Sequence, residues 1–412
     1  MSLSYTQALR NERLNYAEIF LITPFVVVVQ QFAPVLATRL GASPLLLGFL
    51  TSGAALMLSI TAAMGPWWFK RIPLDRITSL AGPLIVFRTV LIWIPLALSL
   101  PDHRAEALVG LIILLNFFAG LSQVTFLSFL PRMTLRNRLA GMMSGRWTAL
   151  GVGMAICAPV LALVLDRFEL PVNYAVVCAI ALVFTLISTA CLFRVRLAPL
   201  DGPGALKGPA HASTGQAGGQ TGVRDLLKHA PGVRFLVVTL LTQIALNAPV
   251  PLITLRLVRE LNLSDGDYGI YTAAFWAALA VFGLILPRLV ERFGNRRIFV
   301  ASGVVLGLQV LILALTATLP LIWLSGIIGG IASVMFQVTA FALVMESAPV
   351  GRYESYVSLQ SSVANFAVFA APLAMSALSM AGLSVVTGLV ICAGLRTVAG
   401  FPAWQRTGQS SV

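Results

Sequence analysis

Residues 172–193 read VNYAVVCAIALVFTLISTACLF, twenty-two positions without an Asp, Glu, Lys or Arg, with Arg167 and Glu169 on one side and Arg194 and Arg196 on the other. A helix needs roughly 20 apolar residues to cross the hydrocarbon core of a bilayer, so this stretch reads as a membrane span. Working outward, windows of the same kind fall near 15–38, 44–68, 78–100, 106–130 and 141–165 before it. Six more follow near 233–255, 267–290, 297–317, 320–345, 356–379 and 382–403. The 412 residues are 58% hydrophobic and 10% charged, with a mean hydropathy of +0.90. That composition excludes a soluble globular protein, and twelve spans leave no length for a large extramembrane domain. The fold expected is all-α and integral to the membrane.

Residues 198–231 interrupt the pattern with Gly, Pro, Ala and Ser, including Gly202-Pro203-Gly204 and Ala217-Gly218-Gly219. Such a composition cannot bury a core and reads as a linker. The expected organisation is an N-terminal six-helix bundle over 1–197, a linker over 198–231 and a C-terminal six-helix bundle over 232–412. The net charge of +13 is topological in origin and gives no reason to expect nucleic acid. Of the 28 Lys and Arg, 21 fall on the side of the termini, the even-numbered loops and the linker. Five, Arg39, Arg104, Arg167, Arg256 and Arg259, fall on the other side, and Arg88 and Arg396 lie within spans. The positive-inside rule then places both termini and the linker in the cytoplasm, with the first span retained because no cleavage site of the signal-peptide kind precedes it.

The halves repeat each other at an offset of about 213 to 221 residues. Leu40-Gly-Ala-Ser43-Pro-Leu-Leu-Leu-Gly48 stands opposite Leu261-Asn-Leu-Ser264-Asp-Gly-Asp-Tyr-Gly269, Ala33-Pro34-Val35 opposite Ala248-Pro249-Val250, and Gln123-Val-Thr125 opposite Gln337-Val-Thr339. Arg138 pairs with Arg352, Ser144 with Ser358 and Ala158-Pro159 with Ala371-Pro372. One order at a nearly constant offset across four spans argues for duplication, the architecture of many transporters, with a site at the midplane between the repeats.

The loop after span 8, Pro287-Arg-Leu-Val-Glu291-Arg292-Phe293-Gly294-Asn295-Arg296-Arg297, resembles the Gly-x-x-x-Asp-Arg-x-Gly loop of the major facilitator superfamily. The first-half copy, Gly65-Pro-Trp-Trp-Phe69-Lys70-Arg71, has Phe69 at the family's acidic position. Asn116 stands where many members carry a span-4 arginine, and Ala158-Pro159 replaces the Gly-Pro of the antiporter motif. The resemblance, which covers essentially the whole chain, implies twelve helices in two pseudo-symmetric bundles. It implies a central cavity lined by spans 1, 4, 7 and 10, and secondary transport by alternating access. The markers of proton-coupled drug antiport are absent from it.

Polar groups deep in a span tend to face a cavity or another helix, because lipid offers them no partner. Thr239, Gln243, Asn247, Pro251 and Thr254 lie on one face of span 7 at spacings of three or four. Span 1 carries Gln30 and Gln31, span 4 Asn116, Gly120 and Gln123, and span 10 Gly326, Gly330, Ser333 and Gln337. The expected substrate contacts are Gln31, Asn116, Gln123, Gln243, Asn247 and Gln337. A second set comprises Arg146 and Trp147 on span 5, Trp276 on span 8, and Gln360 and Asn365 on span 11. A competing use of the amides is to join helices, at about 0.6 kcal/mol each. Arg146 could equally reach back to the interface, as is expected of Arg396.

Glu18 and Arg88 are the charges set within the membrane, where a charge is costly and usually functional. No carboxylate falls near the middle of a span. Glu346, at the end of span 10, is a candidate gate with Arg132, Arg136 or Arg138, and Arg292 and Arg352 are basic neighbours on the same face. Cys157, Cys178, Cys191 and Cys392 fall in apolar runs, and His103, His211 and His229 in polar stretches. No metal, cofactor or catalytic constellation is expected from them. The expected protein is a monomeric, multi-pass transporter of the bacterial inner membrane, meeting membrane lipid and moving a small organic solute. The alternative is a relative of such transporters that assembles a membrane complex or handles lipid.

Overall fold

The computed structural model describes residues 4–69, 71–72, 76–135, 138–198, 230–347 and 353–401. Eleven helices among them are long and apolar enough to cross a membrane. Several match the hydropathy windows to within three residues, including Pro44–Phe69, Val172–Phe193, Asp265–Phe293 and Leu319–Ser347. Large apolar side chains such as Leu114, Leu163, Leu186 and Leu284 stay more than half exposed on the outside of the helices, where acyl chains would meet them.

Three departures from the sequence reading have local causes. Span 1 is a 35-residue unit, Tyr5–Arg39, starting ten residues before its apolar window. Ser4 Oγ accepts from the Gln7 amide at 3.2 Å while Gln7 Oε1 accepts from the Ser4 amide at 3.4 Å, a capping box that starts the helix in polar sequence. Span 12 is shorter than its window: Val385–Ala399, 15 residues, about 22 Å at 1.5 Å per residue. Gly382, at φ +105°, turns the chain, and Ser384 caps the helix by accepting from the Thr387 amide at 3.1 Å. Span 3 breaks at Thr89 into Thr78–Arg88 and Val90–Leu98.

Spans 1 and 7 carry the repeated Ala-Pro-Val and are both broken, but not alike. In span 1 a π-helical turn, Val27–Phe32, precedes Pro34; in span 7 the π-helical turn, Leu255–Glu260, follows Pro249 and Pro251. A proline ends the hydrogen-bond ladder because it has no N–H, and a π turn adds one residue and rotates everything beyond it.

The loop repeat is reproduced in backbone geometry. Gly41 (φ +87°) and Asn262 (φ +49°) occupy equivalent left-handed positions. Two residues on, Ser43 accepts from the Leu46 amide at 3.2 Å and Ser264 from the Asp267 amide at 3.0 Å. Only Gly, and to a lesser degree Asn, adopts this conformation cheaply. Nothing lies within 4 Å of a Cβ at Gly41, so Gly41→Ala is expected to cost about 1–2 kcal/mol in backbone strain alone. Asn262→Gly is expected to cost nothing, and thermal unfolding of the two purified variants checks the contrast.

The chain divides into two compact units: the described residues of Met1–Leu40 and Leu56–Ala217, and those of Gly41–Ala55 and Gly218–Val412. In the first, span 1 packs on spans 5 and 6, and span 3 on span 4. In the second, span 10 packs on spans 8 and 9, span 9 on span 12, and span 7 on span 11. Gly326 and Gly330 form part of the span 8–10 seam. A Cβ at Gly326 would lie 2.7 Å from the Tyr271 carbonyl oxygen, and one at Gly330 would overlap the Phe275 carbonyl. These glycines, which the sequence places on a cavity face, serve close helix packing.

Candidate functional site

Span 1 presents Asn11, Asn15 and Glu18 at spacings of four and three, hence on one face, and all three are buried. Asn11 ties the ends of spans 4 and 6 together: its Nδ2 donates to the Met133 carbonyl at 2.9 Å and the Arg196 carbonyl at 2.8 Å, and its Oδ1 accepts from the Arg196 amide at 3.1 Å. Beside it, Glu12 accepts from Arg138 through Nε at 2.8 Å and Nη2 at 2.7 Å, and from the Thr134 hydroxyl at 2.5 Å. This two-pronged pair, with the carboxylate almost fully buried, holds the start of span 5 to span 1.

Two turns further along span 1 lies a second charged cluster. Arg88 Nη2 donates to Glu18 Oε1 at 2.7 Å and its Nη1 to Thr189 Oγ1 at 2.5 Å. Arg146 Nη1 donates to Glu18 Oε2 at 3.1 Å and to Asn15 Oδ1 at 2.8 Å. Ser188 Oγ completes the set, donating to the Glu18 carbonyl at 3.0 Å. The Arg88 and Glu18 side chains are 5% and 6% exposed, that of Arg146 17%. Two arginines meet one carboxylate, which leaves one positive charge inside apolar surroundings. Arg146 also lies over the Phe126 ring, 4.6 Å from its centroid.

A cavity of about 390 Å³ adjoins the cluster, lined by spans 1, 3, 4, 5 and 6 of the first unit. The buried Glu18 and Arg88 line it, Gln30, Gln123 and Trp147 line it as exposed residues, and much of the rest is apolar, with Phe25, Phe87 and Phe126 contributing rings. Of the sequence candidates, Gln123, Arg146, Trp147, Glu18 and Arg88 come together here. Gln31 does not line the cavity; Gln30 does. Both belong to the π turn, whose extra residue shifts the register that an ideal helix would give. Arg146 points inward to Glu18 instead of back to the interface.

The remaining candidates sit elsewhere. Asn116 bonds its own helix, Nδ2 to the Ile112 carbonyl at 2.8 Å. In the second unit Asn247 Nδ2 donates to the Gln243 carbonyl at 2.8 Å, and Trp276 meets Phe275 edge to face. Gln337 and Asn365 are exposed and Gln360 half-buried. Of the gate residues, Arg138 is engaged by Glu12, Arg132 Nε donates to the Ala198 carbonyl at 2.8 Å, and Glu346 accepts from Asn295 Nδ2 at 2.8 Å. Arg292 is exposed along the Phe293 ring. Arg136 and Arg352 lie outside the described residues.

Arg396 does not reach for the interface. It is 7% exposed and turns into the second unit, donating to the carbonyls of Ala245 at 3.0 Å and Leu246 at 2.7 Å and to Gln309 Oε1 at 3.2 Å. Pro249 has no N–H for the Ala245 carbonyl, so the guanidinium supplies what the broken helix lacks. Arg396→Leu is expected to cost about 1–3 kcal/mol for each carbonyl orphaned, read as a fall in unfolding temperature.

Residues the sequence reading passed over are Asn11, Glu12, Asn15, Ser188 and Thr189. The 11/15/18 spacing was available as a signal, but most of it lies ahead of the apolar window that defined span 1.

A chain of bilayer-length helices that buries a charged cluster and a cavity inside a bundle of spans is a multi-pass membrane protein of a transporter fold. Residues 235–406 match the family model described as Major Facilitator Superfamily. Solved structures with the same fold include a D-xylose–proton symporter (TM-score 0.73, 14% identity, 98% of each chain covered). They also include the nucleoside transporter NupG (TM-score 0.66, 14% identity, 97% of this chain and 98% of that one). A third is a bacterial homologue of the iron transporter ferroportin (TM-score 0.63, 17% identity, 98% of each chain). No curated protein matches the chain in sequence. Residues 235–406 thus resemble the major facilitator superfamily in sequence, and the whole chain shares its fold with these transporters.

Proposed function

We propose that this protein is a secondary transporter that moves a small organic solute across the bacterial inner membrane by alternating access. Its halves, 1–197 and 232–412, act as the two bundles, with both termini in the cytoplasm and the chain working as a monomer. The observation that carries this reading is the first-unit cavity. Five spans converge on it, and it gathers two arginines, a carboxylate and two glutamines in an otherwise apolar bundle. Intramembrane charges of this kind are costly and mark solute or ion pathways. Pockets of roughly 300–1,000 Å³ with few polar groups suit small organic ligands, and sugar and nucleoside carriers of the same fold support the assignment by analogy.

The test is flux in proteoliposomes. Alanine at Gln30, Gln123 and Trp147 is expected to lower counterflow of a transported solute about tenfold or more while the unfolding temperature stays near that of the parent protein. Unchanged flux in all three would move the site elsewhere. A protein that carries no solute from a broad panel would instead belong to the assembly or lipid-handling alternative.

A further inference from the structure

We infer that the first-unit cavity takes a solute with one carboxylate, or a chemically similar monoanion, on an apolar body, and that Arg146 is its anchor. This rests on the cavity being the transport site. Three observations converge. The first is the charge balance: among the described residues Arg88 and Arg146 share the single carboxylate of Glu18, and one monoanion would bring the cluster to neutrality.

The second is the geometry of Arg146. Both of its hydrogen bonds leave from Nη1, one to Asn15 and one to Glu18. Nε and Nη2, the edge that grips a carboxylate with two parallel bonds, donate to no described residue although the side chain lines the cavity. The same edge of Arg138 grips Glu12 in this chain, at 2.8 and 2.7 Å. Phe126 stacked against Arg146 and Nη1 tethered at two points fix the plane of the fork before any ligand arrives. Pre-set donors lose less freedom on binding.

The third is the rest of the wall. Phe25, Phe87, Ile22 and Leu84 offer an apolar surface, and the glutamines and Trp147 supply neutral polar contacts. A sugar would leave much of that surface poorly matched, and an ammonium would meet an uncompensated guanidinium.

The experiment uses the full-length protein and three probes of one skeleton: 4-phenylbutyrate, 4-phenylbutanamide and 4-phenylbutylammonium. Binding is read by thermal shift and by quenching of Trp147 fluorescence, assigned with Trp147→Phe. The expected order is carboxylate at least tenfold tighter than amide, with the ammonium undetectable. Arg146→Gln leaves the Arg88–Glu18 pair intact, so the variant should fold; it is expected to weaken the carboxylate at least tenfold and leave the amide unchanged. Arg146→Lys keeps the charge without the fork and should fall between. Equal binding of amide and carboxylate, both lost in Gln123→Ala, would overturn the anion assignment while leaving the cavity as the site. Carboxylate binding indifferent to Arg146, or no binding of any probe, overturns the inference outright.

Discussion

Glu18→Ala is expected to destabilise the folded protein by about 3–5 kcal/mol, the usual result of removing one member of a buried ion pair. The loss exceeds that of the hydrogen bonds themselves, because the buried Arg88 and the half-buried Arg146 then lose their shared counter-charge, and Arg88 Nε already has no partner among the described residues. The diagnostic comparison is the double variant Glu18→Ala with Arg88→Leu. Exchanging a whole buried pair for apolar groups is often neutral, so the double variant should be more stable than the single, with Arg146 still held by Asn15. A double-mutant cycle on unfolding temperature or denaturant midpoint measures the coupling. Additive losses would mean that the cluster is held by packing and not by charge.

Gly330→Ala is the second large effect. Its Cβ would overlap the Phe275 carbonyl, and the next nearest atom is also backbone, the Leu279 amide nitrogen at 3.0 Å. No side chain can swing aside, so spans 8 and 10 must move apart. Overpacking of this kind costs roughly 1–3 kcal/mol and sometimes more, beyond the ~1 kcal/mol that alanine gains over glycine in a helix. Gly110→Ala, with nothing within 4 Å of the added atom, serves as the control and should be neutral or slightly stabilising. Equal unfolding temperatures for both variants would contradict the tight seam.

Much of the architecture was legible because the bilayer imposes local rules. Length and hydropathy placed the helices, the repeat placed Gly41 opposite Asn262 and Ser43 opposite Ser264, and the loop around Glu291 pointed to the family. The errors were equally physical. The polar start of span 1 hid from a hydropathy window because a capping box, not apolarity, begins that helix. The π turn exchanged Gln30 for Gln31, since a single inserted residue breaks the 3.6-residue count on which face assignments rest. Gly326 and Gly330 shared a face with polar residues, and only the closeness of the Tyr271 and Phe275 carbonyls shows what that face meets.

The sequence by itself determined that the chain belongs in a membrane, where most of its helices lie and which known fold it would resemble. Each of these depends on residues near one another in the chain, or on patterns repeated along it. Only the tertiary structure decided which polar groups work together. Glu18 meets Arg88 across 70 positions and Arg146 across 128, separations that no periodicity encodes. Burial then turns three scattered charges into one cluster, because an apolar bundle offers a charge little besides an opposite charge or a hydrogen-bonding group to offset its desolvation.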